Sequence, residues 1–246
     1  MKTRTPFLIA FVLSFTGCSE DAASVQAEIT DDVPTAFAQF ADGVSAYVDG
    51  AYIMVESTGV PNHGSPYFST NSDQYEAYNG DNPDFQINPN RIAAQNLTFR
   101  IPINPKEASR KQATPLGPIG VSLNGVPFYN QYAGPNQPLT FEINSFDQYL
   151  GHPQQFGGYH YHMEPVYITT YMVGKDGLLG YLLDGFPVYG PSENGQQVTN
   201  QNLDEWHGHE HATLEYPDGI YHYHITAEDP YLNGNGFFGV AGTVSQ

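Results

Sequence analysis

Two short segments of the chain carry histidines at a spacing that suits metal binding. His160 and His162 alternate with two tyrosines, and His222 and His224 alternate with two tyrosines in the same order. In a β-strand, residues two apart point to the same face, so each segment would present two imidazoles on one face and two phenols on the other. Two such imidazoles can bind one metal ion at about 2.0–2.1 Å, and a third imidazole with a carboxylate completes a tetrahedral or five-coordinate shell.

Both segments belong to an internal repeat. Residues 120–129 align with residues 180–189, and each copy contains an Asn-Gly or Asp-Gly dipeptide, which is typical of a tight β-hairpin turn. An aspartate, a Gly-His dipeptide and the histidine pair follow in the same order, and the matching segments are 60, 57 and 62 residues apart. This near-constant offset predicts two homologous halves related by a pseudo-twofold axis. Each half supplies one aspartate and three histidines as candidate metal ligands: Asp147, His152, His160 and His162 in the first, and Asp204, His209, His222 and His224 in the second.

The ligand sets leave several alternatives open. Each aspartate could bind the metal directly, or it could accept the second ring N–H of a histidine and so fix its tautomer. The halves could form two sites or share one, and the residue types suit zinc and copper alike. A single His-x-His pair is more often two hydrogen-bonded histidines than a metal site. The duplication of the whole set of one aspartate and three histidines favours metal binding.

The other three histidines lack this support. His207 and His211 belong to a His-Gly-His-Glu-His run, but the first half has Leu150 and Gln154 at their positions. We therefore expect these two histidines to be solvated or auxiliary. His63 lies in a predicted loop and is assigned no role in metal binding.

The N-terminal residues have the pattern of an export signal. Residues 1–17 combine Lys2 and Arg4 with a short apolar run, and a Thr-Gly exit precedes Cys18. The pattern resembles a bacterial lipoprotein signal, in which cleavage before the cysteine is coupled to acylation of its thiol. We predict lipidation of Cys18 and an exported lipoprotein of the periplasm or cell surface, anchored to the outer membrane. Because Cys18 is the only cysteine, the exported domain would hold together without disulfides.

The composition excludes some classes of partner. The 246 residues include 26 acidic and 8 basic side chains, and the resulting net charge of -18 repels the phosphates of nucleic acids. The sequence contains neither a Gly-rich phosphate loop nor a Gly-x-Ser-x-Gly motif, which disfavours nucleotide binding and acyl-enzyme chemistry. We expect the partners to be a metal ion and, through the lipid anchor, a membrane.

Composition also predicts a mainly β fold. The chain contains 25 Gly, 19 Pro and 18 Tyr, a mixture that favours strands and turns over helices. We expect a sandwich- or barrel-like domain at residues 46–246, preceded by an acidic tether at residues 18–45. The half-repeats would occupy about residues 116–170 and 176–231.

Short apolar runs, bounded by clusters of Gly, Pro and Asn, predict the positions of the strands. The predicted strands are residues 51–56, 97–103, 119–123, 139–143, 166–172, 178–183, 221–226 and 239–244. Helical patterns are restricted to residues 32–41 and 106–111, and residues 57–90 form a long surface loop in this interpretation. Pro127 and Pro187 follow the hairpin turns and predict edge strands.

The doubled Tyr-His-Tyr-His motif, together with residues 184–190 and 203–205, resembles the YHYH protein family of exported bacterial and eukaryotic proteins. The resemblance covers about residues 119–239. It implies export and a domain of these bounds, and it implies no particular reaction. Members tend to carry a cysteine two residues after the aspartate, where this chain has Tyr149 and Trp206.

The leading hypothesis is a cell-envelope lipoprotein that holds zinc or copper in its two aspartate and histidine sets. One alternative is a metal-dependent hydrolase that uses the same residues, with an acidic side chain such as Glu205 as the base. Another is a surface adhesion module in which the metal is structural and residues 57–90 bind a partner.

Overall fold

The computed structural model describes residues 33–246, and strands are its main element. In chain order the strands are β1 (Ser45–Asp49), β2 (Tyr52–Ser57), β3 (Leu97–Pro102), β4 (Glu107–Gln112), β5 (Gly120–Ser122), β6 (Pro127–Phe128), β7 (Tyr132–Ala133), β8 (Gln137–Pro138), β9 (Gly151–Pro153), β10 (Tyr159–Tyr161), β11 (Leu178–Leu182), β12 (Pro187–Tyr189), β13 (Ser192–Glu193), β14 (Gln196–Gln197), β15 (Gly208–His211), β16 (Ile220–His224), β17 (Phe237–Gly239) and β18 (Thr243–Ser245). The helical elements are short 3₁₀ turns at Thr35–Phe37, Glu142–Ser145, Gln155–Gly157 and Asn200–Asn202, and a π-helical turn at Ile168–Met172. Within this part of the chain, no helix has the length and apolar character needed to cross a membrane.

The largest sheet contains both halves of the repeat. Its strand order is β15-β16-β12-β11-β5-β6-β10-β9, so the set β5, β6, β10, β9 is matched by the set β11, β12, β16, β15. In both sets the histidine strand runs parallel to the hairpin strand beside it and antiparallel to the outer strand. The halves meet at the antiparallel pair β5 and β11, where Val121 is opposite Tyr181, its counterpart in the repeat. The predicted pseudo-twofold arrangement is confirmed.

A second sheet, in the order β1-β2-β3-β18, shares an apolar core with the large one. Alternate residues of β3 are buried, as expected for a strand with one face toward a core. Phe99 and Ile101 of this strand belong to the same buried cluster as Val121 and Tyr181. The prediction of a mainly β, sandwich-like fold is therefore confirmed.

Several predicted elements differ in the structure, and the strand predicted at residues 239–244 is divided between β17 and β18. Residues 139–143 and 166–172, predicted as strands, instead contribute to the 3₁₀ and π-helical turns given above. Residues 106–111, predicted as helical, mostly form β4. Strand β17 pairs with β4, with Phe237 opposite Gln112, and this non-local partner outweighs the weak local preference for helix.

The two hairpin prolines do not mark edge strands, so that prediction was wrong. Pro127 and Pro187 lie in β6 and β12, each of which has a strand on both sides. Each proline is the first residue of its strand, where the missing N–H costs little. The parallel pairing begins one residue later, at Phe128 and at Val188.

The folded domain begins earlier than residue 46. Phe37, Phe40 and Val44 are buried in the core, and the ring of Phe37 stacks on Tyr181 with 4.2 Å between centroids. The C-terminal part of the predicted tether thus packs against the domain, and the predicted helix at residues 32–41 is helical only at Thr35–Phe37. The predicted signal segment and Cys18 lie outside the described residues.

Candidate metal centre

An aspartate-centred turn precedes β9 in the first half. Oδ1 of Asp147 accepts hydrogen bonds from the backbone N–H of Tyr149 at 2.9 Å and of Gly151 at 3.4 Å. The hydroxyl of Tyr159 donates to both carboxylate oxygens, at 2.8 and 2.9 Å. Leu150 adopts a positive φ of 59° to close the turn, and the chain then returns as β9 beside β10.

The second half repeats this turn before β15. Oδ1 of Asp204 accepts from the backbone N–H of Trp206 at 2.8 Å and of Gly208 at 3.2 Å, and the Tyr221 hydroxyl donates to the same oxygen at 2.9 Å. His207 takes the place of Leu150 and has a positive φ of 73°. The turn therefore depends on the aspartate and not on the residue type at its positive-φ position.

These contacts differ from the roles expected for the two aspartates. Asp147 and Asp204 lie on the tyrosine side of the histidine strands, and neither contacts an imidazole in the structure. In each aspartate, backbone N–H groups and a phenol donate to Oδ1, because the tight turn needs that acceptor. The aspartates position the outer strand, and other side chains supply the carboxylate of each cluster.

Three histidines of the first half converge on one point. The register of β9 and β10 places His152 opposite His160. Nε2 of His160 lies 3.1 Å from Nε2 of His152 and 3.0 Å from Nε2 of His162, and Oε1 of Glu142 lies 3.2 Å from Nε2 of His152. We call these four residues the first cluster. Tetrahedral zinc would hold its nitrogen ligands about 3.3–3.4 Å apart, given bonds of about 2.0–2.1 Å, so the donor atoms are close to the spacing that a metal requires.

The hydrogen-bond network assigns one tautomer to all three rings. The Nδ1–H groups of His160 and His162 donate to the backbone oxygens of Gly158 at 3.1 Å and Asn130 at 2.5 Å. Ser145 donates its hydroxyl proton to a backbone oxygen, so its Oγ accepts from Nδ1 of His152 at 2.7 Å. Every Nε2 in the first cluster is therefore an acceptor that faces other acceptors.

Residues 57–90, the predicted surface loop, cover this cluster. The Tyr67 hydroxyl donates to the backbone oxygen of Ser145, next to the hydroxyl that holds His152. The side-chain amide of Asn88 lies 3.5 Å from Nδ1 of His152 and donates to the oxygen of Pro153 at 3.0 Å. Tyr129 stacks on His160 and Phe146 on His162, and the three histidines of the first cluster are only 2–3% exposed.

The second half brings four histidines around Glu193. Nε2 of His211 lies 2.7 Å from Oε1 of this glutamate, and the Nε2 atoms of the other three rings lie at 3.8–3.9 Å from the same oxygen. Nε2 of His209 is 3.1 Å from Nε2 of His211. We call this group the second cluster: Glu193, His209, His211, His222 and His224.

Two ring nitrogens of the second cluster have no partner. The Nδ1–H groups of His222 and His224 donate to the backbone oxygens of Ile220 at 2.9 Å and Gly190 at 2.7 Å, the same arrangement as in the first half. Their Nε2 atoms are buried and make no hydrogen bond. A buried acceptor without a partner costs free energy, and a bound cation would satisfy both.

The clusters differ in access to solvent. The side chains of His209 and His211 are 23% and 37% exposed. A cavity of about 240 Å³ is lined by His209, His211 and Glu193, and another of about 440 Å³ by Glu193 and His224. The histidines of the first cluster are buried, whereas the second cluster opens to two cavities.

Burial favours the neutral form of the paired histidines in both strands, and its effect is on their pKa. It is the largest cause that lowers the pKa of His162 and His224 to about 4 and of His222 to about 3. Burial, and then the neighbouring imidazoles, hold the pKa of His160 well below its ordinary value. Neutral rings with free Nε2 atoms are in the form that binds metal.

Three members of the clusters were not among the predicted ligands. Glu142 lies in a 3₁₀ turn, and Glu193 lies in the β13–β14 hairpin where the first half has Ala133. The repeat gives no signal for either glutamate. His211, expected to be auxiliary, belongs to the second cluster, and the His-x-His spacing with His209 was the available signal.

The remaining candidates lie elsewhere. His63 is buried outside both clusters, and its Nε2 lies 2.9 Å from the Tyr161 hydroxyl. His207 contacts Thr226 at 3.1 Å. Glu205, considered as a base, is exposed and accepts from the Asn235 amide at 3.0 Å.

Comparison with known proteins identifies the family to which the doubled Tyr-His-Tyr-His motif belongs. A search of curated proteins and a search of solved structures returned no match. The family described as YHYH protein matches residues 98–199 and 192–236, which is more than half of the chain and includes both clusters. The chain therefore belongs to the YHYH protein family.

Proposed function

We propose that this protein is an exported lipoprotein that binds a metal ion, zinc or copper, at each of its two clusters. One observation carries the proposal: three Nε2 acceptors and a carboxylate meet within hydrogen-bond distance in the first cluster, with every Nδ1–H already used. Acceptors this close repel one another unless a proton or a cation lies between them. Burial disfavours the proton, because it lowers the pKa of His162 and His160.

The second cluster supports the same function independently. Its two unpartnered Nε2 atoms belong to side chains that are 0% and 2% exposed, and both point toward Glu193. The donor set of imidazoles and one carboxylate suits zinc and copper alike. The clusters lie near opposite ends of the strand order, which favours two sites over one shared site.

Metal analysis tests this function. Protein purified from the envelope without an affinity column should carry about two metal equivalents, and about one after either His160→Ala with His162→Ala or His222→Ala with His224→Ala. His63→Asn, which changes a buried histidine outside both clusters, should leave the metal content unchanged. Wild-type protein that holds no metal, and whose unfolding is the same with and without chelator, would exclude the proposed function.

Export and a lipid anchor are also part of the proposed function. Residues 1–17 would direct export, and acylation of Cys18 would anchor the protein to the outer membrane, with the folded domain and its half-repeats at about residues 116–170 and 176–231 in the periplasm or at the cell surface. Incorporation of labelled fatty acid into the wild type, and its loss in Cys18→Ser, would support the anchor. Equal labelling of both proteins would exclude it.

The open second cluster favours one further candidate, a metal-dependent hydrolase. Catalytic metal sites keep a coordination position for water, and the cavities beside Glu193 leave room for it. Glu193, rather than Glu205, is the carboxylate in place to act as a base. A zinc-loaded protein whose second metal shows no exchangeable water by spectroscopy would exclude this activity.

A further inference from the structure

The larger cavity beside the second cluster is lined by acidic side chains. Asp176, Glu193 and Glu215 contribute carboxylates to its wall, and no lysine or arginine lines it. The neighbouring Lys175 directs its ammonium to Glu164 and lines a different cavity. The cavity therefore has a negative field that no adjacent cation cancels.

Burial increases along this wall toward the metal cluster. Asp176 is exposed, Glu215 and Glu193 are half-buried, and His224 is only 2% exposed. Nε2 of His224, which also lines the cavity, has no hydrogen-bond partner. An unpartnered buried acceptor at the inner end is a destination for a cation that has lost part of its water shell.

The carboxylates keep acceptor capacity for a hydrated ion. Oδ2 of Asp176 accepts from the backbone N–H of Gly195 at 2.8 Å. Glu215 accepts from the Tyr189 hydroxyl at Oε2, at 2.7 Å, and from the Gln39 amide at Oε1, at 3.0 Å. A carboxylate has about four lone-pair sites, so each group can also accept hydrogen bonds from metal-bound water.

We infer that this acidic cavity is an outer binding site for a hydrated divalent cation and the route by which the cation reaches the second cluster. The inference rests on the proposed function, because it requires the second cluster to bind metal. Clefts lined by one sign of charge raise the local concentration of the opposite ion and increase its association rate tenfold or more. The smaller cavity offers a competing route, but Gln196, Gln197 and Asn202 make its wall mostly neutral.

Stopped-flow uptake of Co²⁺ by the metal-free protein tests the route. The fast phase of Co²⁺ absorption is assigned to the second cluster by its loss in His222→Ala with His224→Ala. Asp176→Asn with Glu215→Gln should slow this phase about three- to tenfold and weaken its dependence on ionic strength, because two charges leave the cavity. The final amount of bound Co²⁺ should stay the same, since neither residue belongs to the cluster.

A charge-matched control separates the cavity from the net charge of the protein. Asp73→Asn with Asp84→Asn removes two exposed carboxylates from residues 57–90 and should slow uptake less than twofold. Equal slowing by both pairs, or no slowing by the cavity pair, would overturn the proposed route while metal binding stands. A wild type without any Co²⁺ phase would overturn the proposed function together with the route.

Discussion

The first and second clusters use the same backbone to present histidines, but they differ in the carboxylate, in the number of histidines and in access to solvent. His160 and His222 both donate Nδ1–H to the backbone oxygen two residues earlier. The first cluster takes its carboxylate from a 3₁₀ turn and is covered by residues 57–90, whereas the second takes Glu193 from a hairpin and adds His211. Duplication has thus kept the strand pairing and the tautomer, while cover and carboxylate have diverged.

The difference suggests a division of labour. Closed metal sites with a complete protein shell stabilise folds, whereas sites with an open position exchange metal or bind further ligands. In these terms the first cluster would replace the disulfides that the chain lacks, and the second would exchange its metal with solvent.

The largest difference is expected at the outer histidines, His152 and His209, which occupy equivalent positions in the two pairings. In the metal-loaded protein, His152→Ala should lower the free energy of unfolding by about 4 kcal/mol, since it removes a buried ligand from a closed site. His209→Ala should lower it by about 1 kcal/mol, because three histidines and Glu193 remain. Denaturant unfolding measures both, and equal losses would contradict the division of labour.

In the metal-free protein, the two halves should contribute equally to the dependence of stability on pH. Burial lowers the pKa of His162 and of His224 to about 4 in the folded state, against about 6.5 when unfolded. The unfolded chain binds protons first, so stability is full above pH 6.5 and falls as the pH decreases toward 4. Each histidine should account for roughly 3 kcal/mol of this loss.

Unfolding at pH 7 and pH 4.5 in the presence of chelator tests this symmetry. His162→Gln and His224→Gln should each remove a similar part of the pH dependence. A much larger part for one of them would show that the halves already differ without metal.

A smaller effect is expected from making the second half resemble the first. His211→Gln introduces the residue type that the repeat has at Gln154. It should weaken metal binding at the second cluster about tenfold, or about 1.4 kcal/mol, because one of five donors is lost. Competition with a chromophoric chelator measures the affinity, and the first cluster serves as the internal control. Unchanged affinity would show that His211 is not a ligand.

The smallest effect tests the cover of the first cluster. Asn88→Ala removes the amide that contacts Pro153 and lies beside His152, and should cost about 1 kcal/mol of stability. Metal should leave the first cluster faster in this variant, while its loss from the second stays the same. If chelator removes the first metal at the wild-type rate, the loop does not close the site.

Much of the candidate site could be predicted because strand geometry is local. The period of two places His160 beside His162, and the repeat adds His152 and His209 through a constant offset. The repeat identifies Asp147 and Asp204. It does not predict their role, because the sequence does not show that a tight turn would use their oxygens. Glu142 and Glu193 could not be found, since neither glutamate is repeated in the other half, where Ala133 occupies the position of Glu193.

The sequence by itself determined the β-rich class, the duplication and the histidine pairs, because alternation, turn dipeptides and repeat offsets depend on neighbours along the chain. Only the tertiary structure decided which carboxylates join the histidines, that β6 and β12 are internal strands, and that residues 57–90 cover one cluster and not the other. Those features depend on contacts between segments far apart in the chain, and no local pattern of residues specifies such contacts.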